Sequence, residues 1–240
     1  MLGYPAQAAQ WSQDALTLAH TLAHPFSLAE ALGYATWLAE FRREARLVHA
    51  QAEALMALAQ EHRFAYWLVQ GRMLWGWALV MQGHGEEGLA HLRQGLEAYR
   101  ATAARAQPYY LALLAEAYGH LGESAVGLGV LAEALAAVQT TEACVWEAKL
   151  YWLKGALLQQ ATGSSEEAAT CFRQALTIAR RQQAKSWELR AALRLSRLWQ
   201  QQDKCAEAHD LLAPIYGWFT EGFDTADLQE AKALLDELEA

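Results

Sequence analysis

The sequence has 240 residues, of which 54% are hydrophobic and 19% charged, so it carries enough apolar side chains to form a core and is not of the disordered class. Its formal net charge of -8 argues against nonspecific binding to nucleic acid, because such binding requires a basic surface that releases counterions from the phosphates. Only four prolines occur, and Ala, Leu, Gln, Glu and Arg dominate over Val and Ile, so the composition predicts an all-α protein.

Turn residues and helical periodicity divide the chain into a series of predicted helices. In chain order they lie near residues 6–23, 27–44, 46–61, 64–82, 85–104, 108–121, 123–139, 143–161, 164–183, 186–201, 204–217 and 226–238. No linker or second domain is evident, so we expect one repeat domain over residues 1–240. Its expected parts are a half repeat at 1–23, helical hairpins at 27–61, 64–104, 108–139, 143–183 and 186–217, and a capping helix at 224–238.

The series repeats with a period of about 40 residues. The stretch GWALVMQGHGEEGLAHLRQGL, which starts at Gly76, and the stretch AEAYGHLGESAVGLGVLAEAL, which starts at Ala115, place small, bulky and small residues at the same spacings of 12, 4 and 3. Copies that start at Gly155 and Ser196 repeat the pattern, and the four starts lie 39, 40 and 41 residues apart. Self-similarity with this period predicts a solenoid of helical hairpins.

The small residues of the pattern predict close helix crossings. A glycine inside a helix costs about 1 kcal/mol relative to alanine, so Gly76 and Gly88 are unfavourable in isolated helices. They are favourable where two antiparallel backbones approach closely and a bulky residue such as Leu92 fills the remaining gap. The alternative is that glycines and alanines are scattered by chance in a helix-rich sequence.

The N-terminus matches only the second half of the pattern, through Ala8, Ser12 and Ala15. Gly3-Tyr4-Pro5 would then be the turn of a hairpin that starts half a repeat late. Its helix would leave one apolar face uncovered, formed by Ala8, Trp11, Ala15, Leu18, Ala19 and Leu22. We therefore expect a fragment of a longer protein, in which residues 1–23 are mobile or held by a second molecule and this edge supports self-association.

The pattern resembles the tetratricopeptide repeat, whose signature places small residues at its eighth, twentieth and twenty-seventh positions and a bulky residue at its twenty-fourth. The repeats of this chain exceed the about 34 residues of that family and approach the length of HEAT and armadillo repeats. The resemblance implies an α-α superhelix, a tetratricopeptide-like solenoid of about 12 helices with a C-terminal capping helix, that binds partners rather than performing catalysis.

A closer resemblance lies in four stretches of the chain. They are AEAYGHLGESAVGLGVLAEAL, YWLKGALLQQATG, CFRQALTIARRQQAKSWELRAALRLSRLW and YGWFTEGFDTADLQEAKALLDEL. These stretches are similar to the C-terminal region of bacterial multidomain signalling proteins that combine a class III adenylate/guanylate cyclase domain with a predicted ATPase. Related helical arrays occur in large signal-transduction ATPases. The resemblance implies covalently linked upstream domains, which are absent from these 240 residues.

The sequence contains no legible catalytic or cofactor-binding motif. His20 and His24 are four residues apart but have no acid or cysteine at ligand spacing, which favours ordinary loop histidines over metal ligands. The glycines near Gly85 lack the following Lys-Ser/Thr of a P-loop, and Glu166 falls in the first turn of a helix, where the helix dipole accounts for an acidic residue. We expect no enzymatic activity, no cofactor and no metal.

Cysteine usage and the termini predict a cytoplasmic protein. Cys144, Cys171 and Cys205 are widely spaced and form no Cys-x-x-Cys pair, so neither a disulfide framework nor a zinc site is predicted. No charged leader precedes a short apolar core, and no apolar run of about 18 residues is free of charge, so we expect no membrane contact.

The resemblance places certain positions of each first helix on the concave groove of the solenoid. In this sequence those positions define a predicted partner-binding set, called the groove strip below: Met73, Trp77, Tyr109, Glu116, Lys149, Trp152, Arg190 and Arg197. Aromatic and arginine side chains anchor many interfaces, so the strip suits a peptide or small ligand. The alternative is that Trp77 and Trp152 pack into neighbouring repeats. If the strip binds a partner, Tyr109→Ala combined with Arg197→Ala weakens binding without changing the melting temperature.

A basic stretch over residues 173–204 is a second candidate surface. It comprises Arg173, Arg180, Arg181, Lys185, Arg190, Arg194, Arg197 and Lys204, opposed within the stretch by Glu188 and Asp203. It could hold an acidic segment or an anion, or it could be a solvated helix face.

The leading hypothesis is a non-catalytic interaction and sensor array, the C-terminal regulatory region of a larger cytoplasmic signalling ATPase or nucleotide cyclase. The alternative is a freestanding adaptor that binds a peptide in its groove. Both imply a protein or peptide partner, or a small-molecule effector, and neither implies direct contact with nucleic acid.

Overall fold

Apart from turns and one short 3-10 segment at Cys144–Trp146, the chain is α-helical throughout the part that the computed structural model describes, residues 1–100, 107–141 and 143–239. The helices are α1 (Pro5–Leu22), α2 (Pro25–Phe41), α3 (Ala45–Glu61), α4 (Ala65–Met81), α5 (Gly85–Arg100), α6 (Gln107–His120), α7 (Ser124–Thr141), α8 (Glu147–Thr162), α9 (Ser165–Arg181), α10 (Lys185–Gln200), α11 (Cys205–Tyr216) and α12 (Ala226–Leu238). No strand occurs in these residues, so the predicted all-α class is confirmed.

The predicted helix boundaries agree with the observed ones to within about one helical turn. The main difference is at α8, which the 3-10 segment Cys144–Trp146 precedes. The predicted end of the fifth helix, at residues 101–104, lies outside the described residues.

The helices fall into two compact units. The N-terminal unit comprises residues 7–137, and the C-terminal unit comprises residues 138–240 together with residues 1–6. In the N-terminal unit α4 packs against both α3 and α5, and in the C-terminal unit α10 packs against α9, α11 and α12. The expectation of one repeat domain over residues 1–240 stays a prediction.

The turns between helices recur with a fixed geometry. A residue with positive φ follows the helix at Arg43, Arg63, Gly83, Gly122, Gln183 and Asp203. In each of these turns the next residue donates its backbone N–H to the carbonyl five residues earlier, as Glu44 does to Ala39 at 2.9 Å. This bond is typical of the Schellman motif, which satisfies the free carbonyls at a helix end and reverses the chain.

The small residues of the repeat lie at helix crossings, as predicted. A Cβ atom added at Gly76 would lie 2.7 Å from the carbonyl oxygen of Gly88, so α4 and α5 touch through their backbones. At Gly155 an added Cβ would lie 2.6 Å from the ring of Phe172, and in the last copy the Ser196 hydroxyl donates to the Ala208 carbonyl at 3.0 Å. Chance scattering of small residues is therefore excluded at these positions.

The final helix covers the last hairpin. Leu228, Ala231, Leu234 and Leu235 of α12 are buried in a cluster with side chains of α10 and α11, which include Leu189, Ala192, Leu212 and Ile215. Thr225 occupies the N-cap position of α12, and its hydroxyl donates to the Gly222 carbonyl.

Residues 1–6 behave differently from the sequence-based expectation. They belong to the C-terminal unit, where the Met1 carbonyl accepts a hydrogen bond from the Ser186 N–H at 3.1 Å and the Ala6 N–H donates to Glu221 at 3.0 Å. The expectation that the N-terminal residues are mobile or held by a second molecule is therefore wrong for residues 1–6. Gly3 does turn the chain, with φ of 98°, and Pro5 begins α1.

Candidate functional site

The first helices of successive hairpins contact one another directly, and this contact decides which groove-strip residues are accessible. In the N-terminal unit α4 touches α2 and α6, and in the C-terminal unit α10 touches α8 and α12. Side chains on these facing surfaces are therefore shared between neighbouring first helices, and large ones become part of the core.

In the N-terminal unit the groove strip is closed by its own side chains. Met73 and Tyr109 are completely buried and Trp77 is 3% exposed. Trp77 donates its indole N–H to Glu116 at 3.1 Å, so two predicted contact residues bind each other across α4 and α6. For Trp77 the structure shows packing into the neighbouring repeat, the alternative that the sequence left open.

Tyr109 lies in a buried aromatic cluster. Its ring centroid is 5.3 Å from that of Trp37 and 5.1 Å from that of Tyr110, and its hydroxyl donates to the Glu40 carboxylate at 2.9 Å. Burial, followed by the charge of Glu40, raises the pKa of Tyr109 well above its usual value. Tyr109 is a core residue, which corrects the expectation that Tyr109→Ala would leave the melting temperature unchanged.

Two members of the groove strip in the C-terminal unit are also buried. The Lys149 ammonium lies 5.8 Å from the ring centroid of Trp187, and the Arg190 guanidinium lies 4.6 Å from the same ring. Arg190 also donates to Asp227 of α12 at 2.7 Å. These side chains connect α8, α10 and α12 through one tryptophan, a cation–π arrangement that stabilises the unit from within.

Three other side chains of the C-terminal unit reach the surface, and we call them the Trp–Arg strip: Trp152, Arg194 and Arg197. Trp152 is half-buried on α8, and the guanidinium of the exposed Arg194 lies 5.7 Å from its ring centroid. Arg197 is half-buried one turn further along α10 and forms an ion pair with Glu237 of α12. The groove strip omitted Arg194, although its spacing places it on the helix face of Arg190 and Arg197.

Much of the basic stretch is neutralised by acidic residues, several of them distant in sequence. Arg180 and Lys185 both pair with Glu188, at 3.0 and 2.7 Å. Further ion pairs join Arg181 to Glu147, Arg190 to Asp227 and Arg197 to Glu237. The stretch is thus less basic in the folded protein than along the sequence.

The apolar face predicted on α1 is largely exposed, with Trp11 at 67%, Leu18 at 59% and Leu22 at 60%. Ala19 is the exception, because it is buried. Self-association through this face stays a prediction.

Helix capping accounts for one of the two histidines considered as metal ligands and orders the start of α9. The His24 ring accepts from the Ser27 N–H and caps α2, and the Ser164 hydroxyl accepts from the Glu167 N–H at the start of α9. Among the residues that the structure describes, no group of three His, Cys, Asp or Glu side chains could hold a metal ion. An open depression of about 690 Å³, lined by Glu44–Leu47, Met81, Gln82 and His84, contains none of the predicted site residues. None of the described helices is long and apolar enough to cross a membrane.

No family model and no curated protein sequence matches the chain. Solved structures match it in fold. A Rap protein complexed with Competence and Sporulation Factor is 15% identical with a TM-score of 0.59, over 88% of this chain and 63% of that one. Aspartyl phosphate phosphatase F from Bacillus subtilis is 11% identical with a TM-score of 0.60, over 98% of this chain and 66% of that one.

BtubC from P. vanneervenii is 17% identical with a TM-score of 0.56, over 98% of this chain and 88% of that one. The match covers somewhat less than two thirds of the length of the Rap protein and of phosphatase F. At these identities the similarity shows the fold alone, an all-α helical-repeat solenoid like the tetratricopeptide arrays.

Proposed function

We propose that the chain is a non-catalytic interaction array that binds an acidic segment of a protein partner on the Trp–Arg strip. The observation that carries this proposal is the pairing of exposed Arg194 with half-buried Trp152 at 5.7 Å on adjacent first helices. Tryptophan and arginine are enriched among the residues that dominate binding energy.

The charges of the strip suit a carboxylate-bearing partner. Arg197 already binds a carboxylate, that of Glu237, and this exposed pair lowers the pKa of Glu237. An exposed ion pair contributes little to stability, so a partner carboxylate can replace Glu237 at small cost.

The similar structures support binding as a role for this fold. The Rap protein was solved in complex with Competence and Sporulation Factor. Binding of a protein or peptide by this chain is inferred from that fold and from the strip together.

We further propose that the array is the regulatory C-terminal region of a larger cytoplasmic signalling protein with ATPase or nucleotide cyclase modules. This part rests on the resemblance of the four stretches given above. The alternative is a freestanding adaptor. The length of the native reading frame distinguishes the two, because a frame that encodes ATPase or cyclase modules upstream favours the regulatory role.

Selection from a displayed random-peptide library on the whole chain tests the binding role. We expect enrichment of peptides with clustered Asp and Glu, and at least tenfold weaker binding of these peptides to the variant Arg194→Ala/Arg197→Ala, with the melting temperature little changed. The matched control is Arg173→Ala/Arg180→Ala, which removes the same charge from α9. Equal losses in both variants, or enrichment of uncharged peptides, would contradict the assignment to the strip.

A further inference from the structure

Residues 1–6 contact the C-terminal unit as a bound peptide contacts a receptor. The segment makes backbone hydrogen bonds at both ends, from the Ser186 N–H to the Met1 carbonyl at 3.1 Å and from the Ala6 N–H to the Glu221 carboxylate at 3.0 Å. Backbone hydrogen bonds with side-chain pockets between them are a common mode of peptide recognition.

Two side chains of the segment, those of Met1 and Tyr4, contact tryptophans of the unit. The Trp187 indole N–H lies 3.3 Å from the Met1 sulfur, and the Tyr4 ring centroid lies 5.5 Å from that of Trp218. The Lys185 ammonium lies 5.3 Å from the Trp218 ring, so this tryptophan is held in place by a cation. The start of α10 and the loop after α11 thus form one surface.

Two glycines show that the fit is steric on both sides. A Cβ atom at Gly3 would lie 2.5 Å from the Trp218 ring and 2.8 Å from the Lys185 Cβ, and Gly3 has φ of 98°. On the receptor side, a Cβ atom at Gly222 would overlap the ring of Pro5. The surface therefore leaves no room for a side chain at residue 3, and it accommodates the ring of Pro5 because residue 222 is a glycine.

We infer that Lys185–Trp187 together with Trp218–Gly222 form a peptide-binding site for extended segments with a Gly-aromatic-Pro core, and that residues 1–6 of the same chain occupy it. Because the occupant is covalently attached, its effective concentration is in the millimolar range, and a free peptide of equal chemistry competes poorly with it. Release of residues 1–6 would open the site. The site adjoins the Trp–Arg strip, since the ring centroids of Trp187 and Trp152 are 6.0 Å apart, but the two share no residue, so the inference does not depend on the proposed function.

Gly3→Val tests this inference in the 240-residue chain, because it disturbs the occupant and leaves the receptor surface unchanged. The probe is a fluorescently labelled peptide of residues 1–8, MLGYPAQA, titrated to millimolar concentration. We expect saturable binding to the Gly3→Val chain and at least about tenfold weaker binding to the parent chain, since the attached segment competes there. Leu2→Ala is the matched control, because Leu2 is 63% exposed and its loss should leave the site filled.

Three outcomes would overturn the inference. The peptide fails to bind the Gly3→Val chain at millimolar concentration, or it binds the Gly3→Val and parent chains equally well. The third is that the peptide still binds the Gly3→Val chain after Trp218→Ala is added. If the parent chain excludes the peptide only where light scattering detects dimers, the occupant comes from a second copy, which overturns the assignment to the same chain. Arg194→Ala/Arg197→Ala should leave peptide binding to the Gly3→Val chain unchanged, so failure of the proposed function remains distinguishable from failure of this inference.

Discussion

Tyr109 is a polar residue in a core position, and its hydroxyl requires a partner because an unpaired buried hydroxyl is costly. Glu40 of α2 supplies that partner for a residue of α6. This hydrogen bond joins α6 to α2, and α4 contacts both helices. It therefore helps to set the distances among the three first helices α2, α4 and α6. A residue that the sequence favoured for partner binding instead stabilises the array.

We expect Tyr109→Phe to lower the free energy of unfolding by about 1.5–3 kcal/mol, the usual contribution of a hydrogen bond to a charged group. Tyr34→Phe is the matched control, since Tyr34 is 57% exposed and its change should cost no more than about 0.5 kcal/mol. Urea denaturation at neutral pH measures both. Equal stability of the two variants would show that the bond to Glu40 contributes little.

Tyr109 and Tyr110 also predict a loss of stability at alkaline pH. Burial is the largest cause that raises the pKa of both residues well above the usual value near 10. Above pH about 10 the unfolded chain releases these protons while the folded chain retains them, so stability falls by about 1.4 kcal/mol per pH unit for each residue until the folded pKa is reached. Urea titrations in this range should show a shallower fall for Tyr109→Phe/Tyr110→Phe than for the parent chain.

At the scale of elements, the repeated Schellman turn explains how the chain reverses without a fixed glycine. Arg43, Arg63, Gln183 and Asp203 adopt positive φ in these turns, although a left-handed conformation costs about 1–2 kcal/mol for residues with a Cβ. Glycine occupies the same position at Gly83 and Gly122. The turn geometry is therefore imposed by helix packing and by the hydrogen bond to the preceding helix, and residue type only adjusts its cost.

Two exposed glycines separate the effect of backbone conformation from that of contacts. A Cβ atom at Gly83 or Gly129 would meet no atom within 4 Å, but Gly83 has φ of 92° in a turn whereas Gly129 lies within α7. We expect Gly83→Ala to destabilise the protein by about 1 kcal/mol and Gly129→Ala to stabilise it by about 0.5–1 kcal/mol. Chemical denaturation measures the stability of both variants. Changes in stability of the same sign would contradict the conformational argument.

At the scale of the whole molecule, the most extensive helix contacts join helices adjacent in the chain, such as α4 with α5 and α8 with α9. Such arrays have stabilities that approximate a sum of local terms. A defect in one hairpin should therefore act mainly on that hairpin and its neighbours.

Gly76→Ala tests this locality. The new Cβ would lie 2.7 Å from the Gly88 carbonyl oxygen, and backbone cannot yield as a flexible side chain does, so we expect a cost of about 1–3 kcal/mol or more. Hydrogen exchange should become faster in α4 and α5 and remain unchanged in α10–α12. Faster exchange throughout the chain would show that the protein unfolds as one cooperative body.

The sequence by itself determined the helices, the period of about 40 residues and the crossing residues such as Gly76 and Gly88. These features depend on contacts between residues close in the chain, because a solenoid buries each helix against its sequence neighbours. The sequence also located the C-terminal capping helix, since its apolar spacing on one face is a local property.

Only the tertiary structure decided which groove-strip residues are accessible and where the charges and the N-terminal segment lie. The hydrogen bonds responsible join residues far apart in the chain: Tyr109 and Glu40 are 69 positions apart, and Ala6 and Glu221 are 215 positions apart. Periodicity assigns a residue to a helix face, but its burial depends on how closely the next first helix approaches that face. Occupation of the peptide site by residues 1–6 depends on contacts between residues at opposite ends of the sequence. Three features are therefore properties of the folded chain alone: the exposure of Trp152 and Arg194, the burial of Tyr109 and the occupation of the peptide site.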